Sequence, residues 1–129
     1  MNFNLLLIKL SLTLGLLGFF IYFTWRASPF LQQIPWMPDW LGRWADANGN
    51  LRNLPAFAVL AYGLMGCLGA RVGIGLSFAL AVGLEVGQVC IPTRFFSWAD
   101  IWISCLGVGL AGFSVWLFRA GRNFLVVLT

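Results

Sequence analysis

Histidine is missing from this chain. Its absence removes the commonest metal ligand, the commonest general base and the usual axial ligand of haem. Any catalysis would have to rest on carboxylates, arginine, tyrosine, serine or cysteine. Acidic residues are nearly as scarce, with Asp39, Asp46, Glu85 and Asp100 the whole set. Charged residues of both signs make up 9% of the chain, against about 25% in a soluble globular domain. Cys67, Cys90 and Cys105 lie within or at the end of apolar stretches and show no CxxC pairing. They read as small buried hydrophobes, not as disulfide or metal residues. No metal and no cofactor is expected.

What fills the 129 residues is apolar: 60% are hydrophobic and the mean hydropathy is +0.88. Such a chain cannot cover its surface in water, but it can in lipid. The length allows a single folding unit, residues 1–129, so membrane lipids are the expected surroundings. The net charge of +4 raises the possibility of nucleic acid. The eight Lys and Arg, however, stand singly at the ends of apolar runs. That is the placement of topology charges, whereas a binding patch clusters them, and no nucleic-acid partner is expected.

Four apolar segments, about 5–25, 54–70, 72–91 and 98–118, predict an all-α integral membrane protein built as a four-transmembrane-helix bundle. In the first, Lys9 can snorkel to the near interface. A signal peptide is the competing reading, but the aromatic end Phe19-Phe20-Ile21-Tyr22-Phe23-Thr24-Trp25 looks like an interface anchor, so the span is taken as retained. Between the first two spans, Trp36, Trp40 and Trp44 recur every four residues, with Pro38 placed to open a helical turn. This suits a short helix lying in the membrane interface. A loop carrying interface tryptophans fits as well, and the two stay open. Arg71 alone separates the second and third spans, and Pro92-Thr93-Arg94 separates the third from the fourth.

Four spans put both termini on one side. Lys9, Arg71, Arg119 and Arg122 fall there, and Arg26, Arg43, Arg52 and Arg94 on the other side, so the positive-inside count is tied. The carboxylates all belong with the second group, which favours cytoplasmic termini.

The chemistry-bearing stretch runs from Gly83 to Asp100. Ser77, Ala81, Glu85 and Gln88 share one face of the third span, and Asp100, Ser104, Gly107, Ala111 and Ser114 share one face of the fourth. The two stripes are expected to pack on each other, because small residues admit close backbones and polar side chains find partners away from lipid. Gly83 and Gly87 form a GxxxG element for a further helix contact. An intramembrane carboxylate costs several kcal/mol unless paired or hydrated. Glu85 is therefore expected to cluster with Gln88, Arg94 and Asp100 at the non-terminal membrane face. Each member also has a plain structural role available: Ser97-x-x-Asp100 fits a capping box, Arg94 an interface anchor, Gln88 a helix–helix hydrogen bond.

These residues resemble the VanZ-like family of small membrane proteins. The family pattern, an intramembrane Glu, a Gln three on, a Pro-x-Arg turn and an Asp with Asn and Gly beyond it, reads here as Glu85, Gln88, Pro92, Arg94, Asp100, Ser104 and Gly107. Ser104 stands where the family has Asn. Asn53-x-x-x-Phe57 is similar to the family's upstream motif, while Val59 and Ala61 replace its Pro-x-Gly. The resemblance covers about residues 50–118. It implies an integral protein of the bacterial cytoplasmic membrane, in a family named for glycopeptide antibiotic resistance and with no reaction attached to it. Three functions then compete. The first is a cell-envelope protein binding a lipid-linked, envelope-related or drug ligand at the Glu85–Gln88–Arg94–Asp100–Ser104 cluster. The second is a non-catalytic accessory subunit with partner membrane subunits. The third, ranked last, is a membrane enzyme using the Glu85 and Asp100 carboxylates as acid and base.

Overall fold

In the computed structural model the described residues are 3–25 and 30–127, the side chains of 123–127 excepted. Arg26, one of the eight topology charges, lies outside them. The described residues form five α-helices: α1 (Phe3–Trp25), α2 (Asp39–Ala47), α3 (Asn53–Leu68), α4 (Ala70–Gly87, prolonged by a 3-10 turn over Gln88–Cys90) and α5 (Trp98–Val127). No strand occurs among the described residues.

Among the described residues three segments are long and apolar enough to cross a membrane: Phe3–Trp25, Ala70–Cys90 and Trp98–Arg122. The fourth expected span, α3, has 16 residues. At 1.5 Å per residue it reaches about 24 Å, short of a hydrocarbon core of about 30 Å. Yet α3 is the best-covered helix of the molecule. It packs most extensively on α5 and α4 and also touches α1, and its Leu60, Ala61 and Leu64 are fully buried. α1 is the opposite case. Only Thr13 and Phe20 are buried on it, and Leu5, Leu6, Leu7, Ile8 and Leu10 all face outward. Trp102, Phe113 and Trp116 do the same on α5. A soluble monomer rarely exposes so continuous an apolar surface, and the three long helices are compatible with a membrane protein.

The break between α3 and α4 falls at Gly69, not at Arg71 as the isolated charge suggested. Gly69 has φ 88° and ψ 157°, a region essentially reserved for glycine, whereas Arg71 sits exposed in the first turn of α4. Four residues on, a Cβ at Gly73 would run into the backbone of Leu64 and Met65, so α3 and α4 meet main chain to main chain.

The two small-polar stripes also find different partners from those expected. Both converge on α3. A Cβ at Gly107 of α5 would strike the carbonyl oxygen of Leu54, and Ser114 hydrogen-bonds Tyr62. Ser104, Val108 and Ala111 are buried along the same stripe. On α4, Ser77, Ala81, Glu85 and Gln88 are buried. α4 and α5 do touch elsewhere, with Gly112 against Ile74. The Gly83–Gly87 element makes a helix contact through one of its two glycines: Gly87 lies under the indole of Trp25 on α1, while a Cβ at Gly83 would meet nothing within 4 Å. The cysteines depart from expectation too, Cys90 being exposed and Cys67 and Cys105 only half-buried.

Within the segment ahead of α3, Asp39–Ala47 is helical and carries two of the three tryptophans, Trp40 and Trp44. α2 follows Pro38, buries Gly42 and Ala45, and turns Trp40 and Trp44 outward. Trp36 lies in the turn before α2, also exposed, edge-on to Phe23 at 5.9 Å between ring centroids. Asp46 fastens the segment. Its two oxygens accept the Leu31 and Gln32 backbone N–H groups at 2.7 and 3.0 Å, and Arg52 Nη1 approaches the first at 3.4 Å.

Candidate functional site

Glu85 sits near the C-terminal end of α4 with only 5% of its surface exposed. Both its oxygens accept: Oε2 takes a hydrogen bond from Gln88 Nε2 at 2.9 Å, and Oε1 takes one from the Ser97 backbone N–H at 3.0 Å. Gln88 is equally enclosed, and its Oε1 accepts from Arg94 Nε at 3.1 Å. One chain of three hydrogen bonds thus runs from the start of α5 through Glu85 and Gln88 to the Arg94 guanidinium. The i, i+3 spacing on a helix makes the first side-chain link local. The 3-10 turn at Gln88–Cys90 and the turn closed by Arg94 N–H onto the Ile91 carbonyl (3.0 Å) bring Arg94 back over it.

Within the expected cluster Arg94 forms no direct ion pair with a carboxylate. Among the described residues Arg94 makes no salt bridge within 4.0 Å, and it reaches Glu85 through Gln88. The reading of Asp100 as a plain cap is half right. Ser97 Oγ accepts the Asp100 N–H at 3.2 Å, which is one arm of a capping box. The returning arm is missing, because the Ser97 N–H is spent on Glu85. Asp100 instead lies near the Asn53 side chain and in the field of Arg52 and Arg94, with its Oδ1 buried and unpartnered. Ser104, one turn further along α5, is buried but has no hydrogen bond to the Glu85–Gln88–Arg94 chain among the described residues.

Two residues of the site were missed: Arg52 and Asn53, at the start of α3. Arg52 faces the charges of Arg94, Asp46 and Asp100. Burial first, and the Arg94 charge second, push its pKa below the ordinary guanidinium value, while Asp46 and Asp100 oppose the shift. No local pattern near residue 85 points to residues 52 and 53; the spacing of Asn53 and Phe57 is the one sequence signal that touches them.

These groups form one end of a cleft of about 210 Å³. Its polar end is lined by Arg52, Asn53, Glu85, Gln88 and Arg94. Its apolar wall comes from Phe19, Phe20 and Phe23 of α1, Ala56 and Phe57 of α3, and Leu84 of α4. Trp25 holds α1 in place along this wall by donating its indole N–H to the Leu84 carbonyl at 3.0 Å. Trp36, Trp40 and Trp44 take no part in the lining. No group of three or more metal-ligating side chains occurs among the described residues.

Comparison with protein-family models, with curated proteins and with solved structures gives no match. The VanZ-like resemblance therefore stands on the residue pattern alone.

Proposed function

We propose that this chain is a VanZ-like, four-span protein of the bacterial cytoplasmic membrane, with cytoplasmic termini, that binds an amphiphilic envelope ligand in the α1–α3–α4 cleft. α3 would serve as the fourth span, and Trp40 and Trp44 would sit at headgroup depth. The observation that carries the reading is the two-sided lining, aromatic and aliphatic along α1 and α3, charged and amide-bearing where α3 begins and α4 ends. Ligand sites are mostly apolar with a few convergent polar groups, and this cleft has that make-up. Its 210 Å³ falls below the roughly 300–1,000 Å³ of a site that encloses a drug-sized molecule. The cleft suits a headgroup and the first carbons of a chain whose remainder lies in lipid, and a bulky glycopeptide would not fit inside.

The enzyme reading is not favoured over the ligand site, since both Glu85 oxygens are occupied by internal donors and Asp100 alone of the two carboxylates keeps an unpartnered oxygen. The test is to purify the protein from its own membrane in mild detergent and identify retained lipids by native mass spectrometry. Ala56→Trp, which fills the apolar wall, should abolish retention while the melting temperature holds. Equal retention in wild type and Ala56→Trp would refute the reading. A stoichiometric protein partner retained with no lipid would favour the accessory-subunit role.

A further inference from the structure

We propose that the polar end of the cleft is a subsite for a phosphate-class oxyanion, read jointly by Arg94 and Arg52. The inference rests on the reading that the cleft takes an amphiphile and names the head that amphiphile carries.

A guanidinium offers five N–H donors in a rigid fork. The hydrogen-bond chain fixes that of Arg94 through Nε alone, at 3.1 Å from Gln88 Oε1. Among the described residues Nη1 and Nη2 have no hydrogen bond or ion pair. The outer edge of the fork is therefore held in a set orientation with its donors unspent, on the wall of a cleft. Glu85 and Gln88 do the holding. They are positioning residues, buried and mutually bonded.

Arg52 brings a second guanidinium to the same lining from a different helix, steadied by Asp46. The lining thus contains two arginines, one carboxylate and the Asn53 amide. The charge of Arg94 acts against that of Arg52 even with Asp46 and Asp100 beside them, and a bound anion would relieve that repulsion. A carboxylate head would satisfy one fork with its two oxygens. A phosphate has three terminal oxygens and more charge, so it can meet two guanidinia arriving from two directions.

The probes are decyl phosphate, decanoate, decanol and inorganic phosphate, titrated onto the full chain in an uncharged maltoside micelle. Decyl phosphate should bind tightest, with Arg52→Gln and Arg94→Gln each weakening it about tenfold or more and leaving decanol unchanged. Arg52→Lys and Arg94→Lys keep the charge and should recover part of the loss, which separates recognition from misfolding. Competition by inorganic phosphate would support the subsite and identify a free phosphate as a source; its failure to compete would assign the phosphate to an amphiphile's head. Decanoate binding as tightly as decyl phosphate would overturn the phosphate assignment. Decanol binding equally well, or insensitivity to either arginine, would overturn the anion subsite while leaving the cleft reading standing. No binding by any alkyl probe would remove both.

Discussion

The most revealing single change is Gln88→Leu. Gln88 is 4% exposed and makes two hydrogen bonds, donating to Glu85 Oε2 at 2.9 Å and accepting from Arg94 Nε at 3.1 Å. Leucine has a similar volume, so little cavity is created and the loss is polar. A hydrogen bond to a charged group contributes about 1.5–3 kcal/mol. The Glu85 bond is buried and should count in full. Arg94 is only half-buried, so its bond is discounted for solvent screening, and the total falls at about 2–4 kcal/mol. Glu85 keeps the Ser97 N–H as a donor, which prevents a fully stranded charge and a larger loss. The assay is unfolding of the purified protein in mixed micelles of increasing denaturing detergent. Val89→Leu at the neighbouring, outward-facing position serves as the control, with an expected change within about 0.5 kcal/mol. If Gln88→Leu is no worse than that control, the hydrogen-bond chain does not hold the α4–α5 connection together.

Three further outcomes follow from the same geometry. In a double-mutant cycle on Glu85→Gln and Arg94→Ala, the coupling should fall below about 1 kcal/mol, because Gln88 stands between the two residues; a coupling of several kcal/mol would mean a direct ion pair. Gly69→Ala should cost about 1–3 kcal/mol in the same assay, because φ 88° and ψ 157° exclude a side chain, whereas Gly83→Ala, with open space around it, should be neutral or better; equal effects would contradict the sharp turn. Compartment reporters fused after Thr129 and inserted within residues 47–50 should report opposite sides of the membrane if α3 spans, and matching signals would reduce the span count to an odd number.

The sequence alone pointed to the surroundings and determined the shape of the parts. A composition of 60% hydrophobic and 9% charged residues leaves a bilayer as the surroundings that suit the chain, and helical periodicity placed Ser77, Ala81, Glu85 and Gln88 on one covered face. The core of the polar cluster was legible for a related reason. Glu85, Gln88, Arg94 and Ser97 lie within thirteen consecutive positions, so one helix end and one short turn are enough to join them. Even there the links were misassigned, because sequence proximity says that Arg94 is near Glu85 but not that an amide stands between them.

Tertiary packing decided everything that depends on which surface meets which. Periodicity shows that residues share a face and is silent on the facing helix, so the stripes of α4 and α5 were paired with each other when both are turned to α3. Arg52 and Asn53 join the cluster from more than thirty residues away, and Phe19, Phe20 and Phe23 complete the cleft from further still. No local rule links such positions. Their meeting depends on the backbone approach that Gly73 and Gly107 allow near the two ends of α3, and on the Trp25 indole seated over Gly87. A glycine in a sequence signals permission for close contact, and only the packed helices show where that permission is used: at Gly42, Gly63, Gly73, Gly87, Gly107 and Gly112, and not at Gly83.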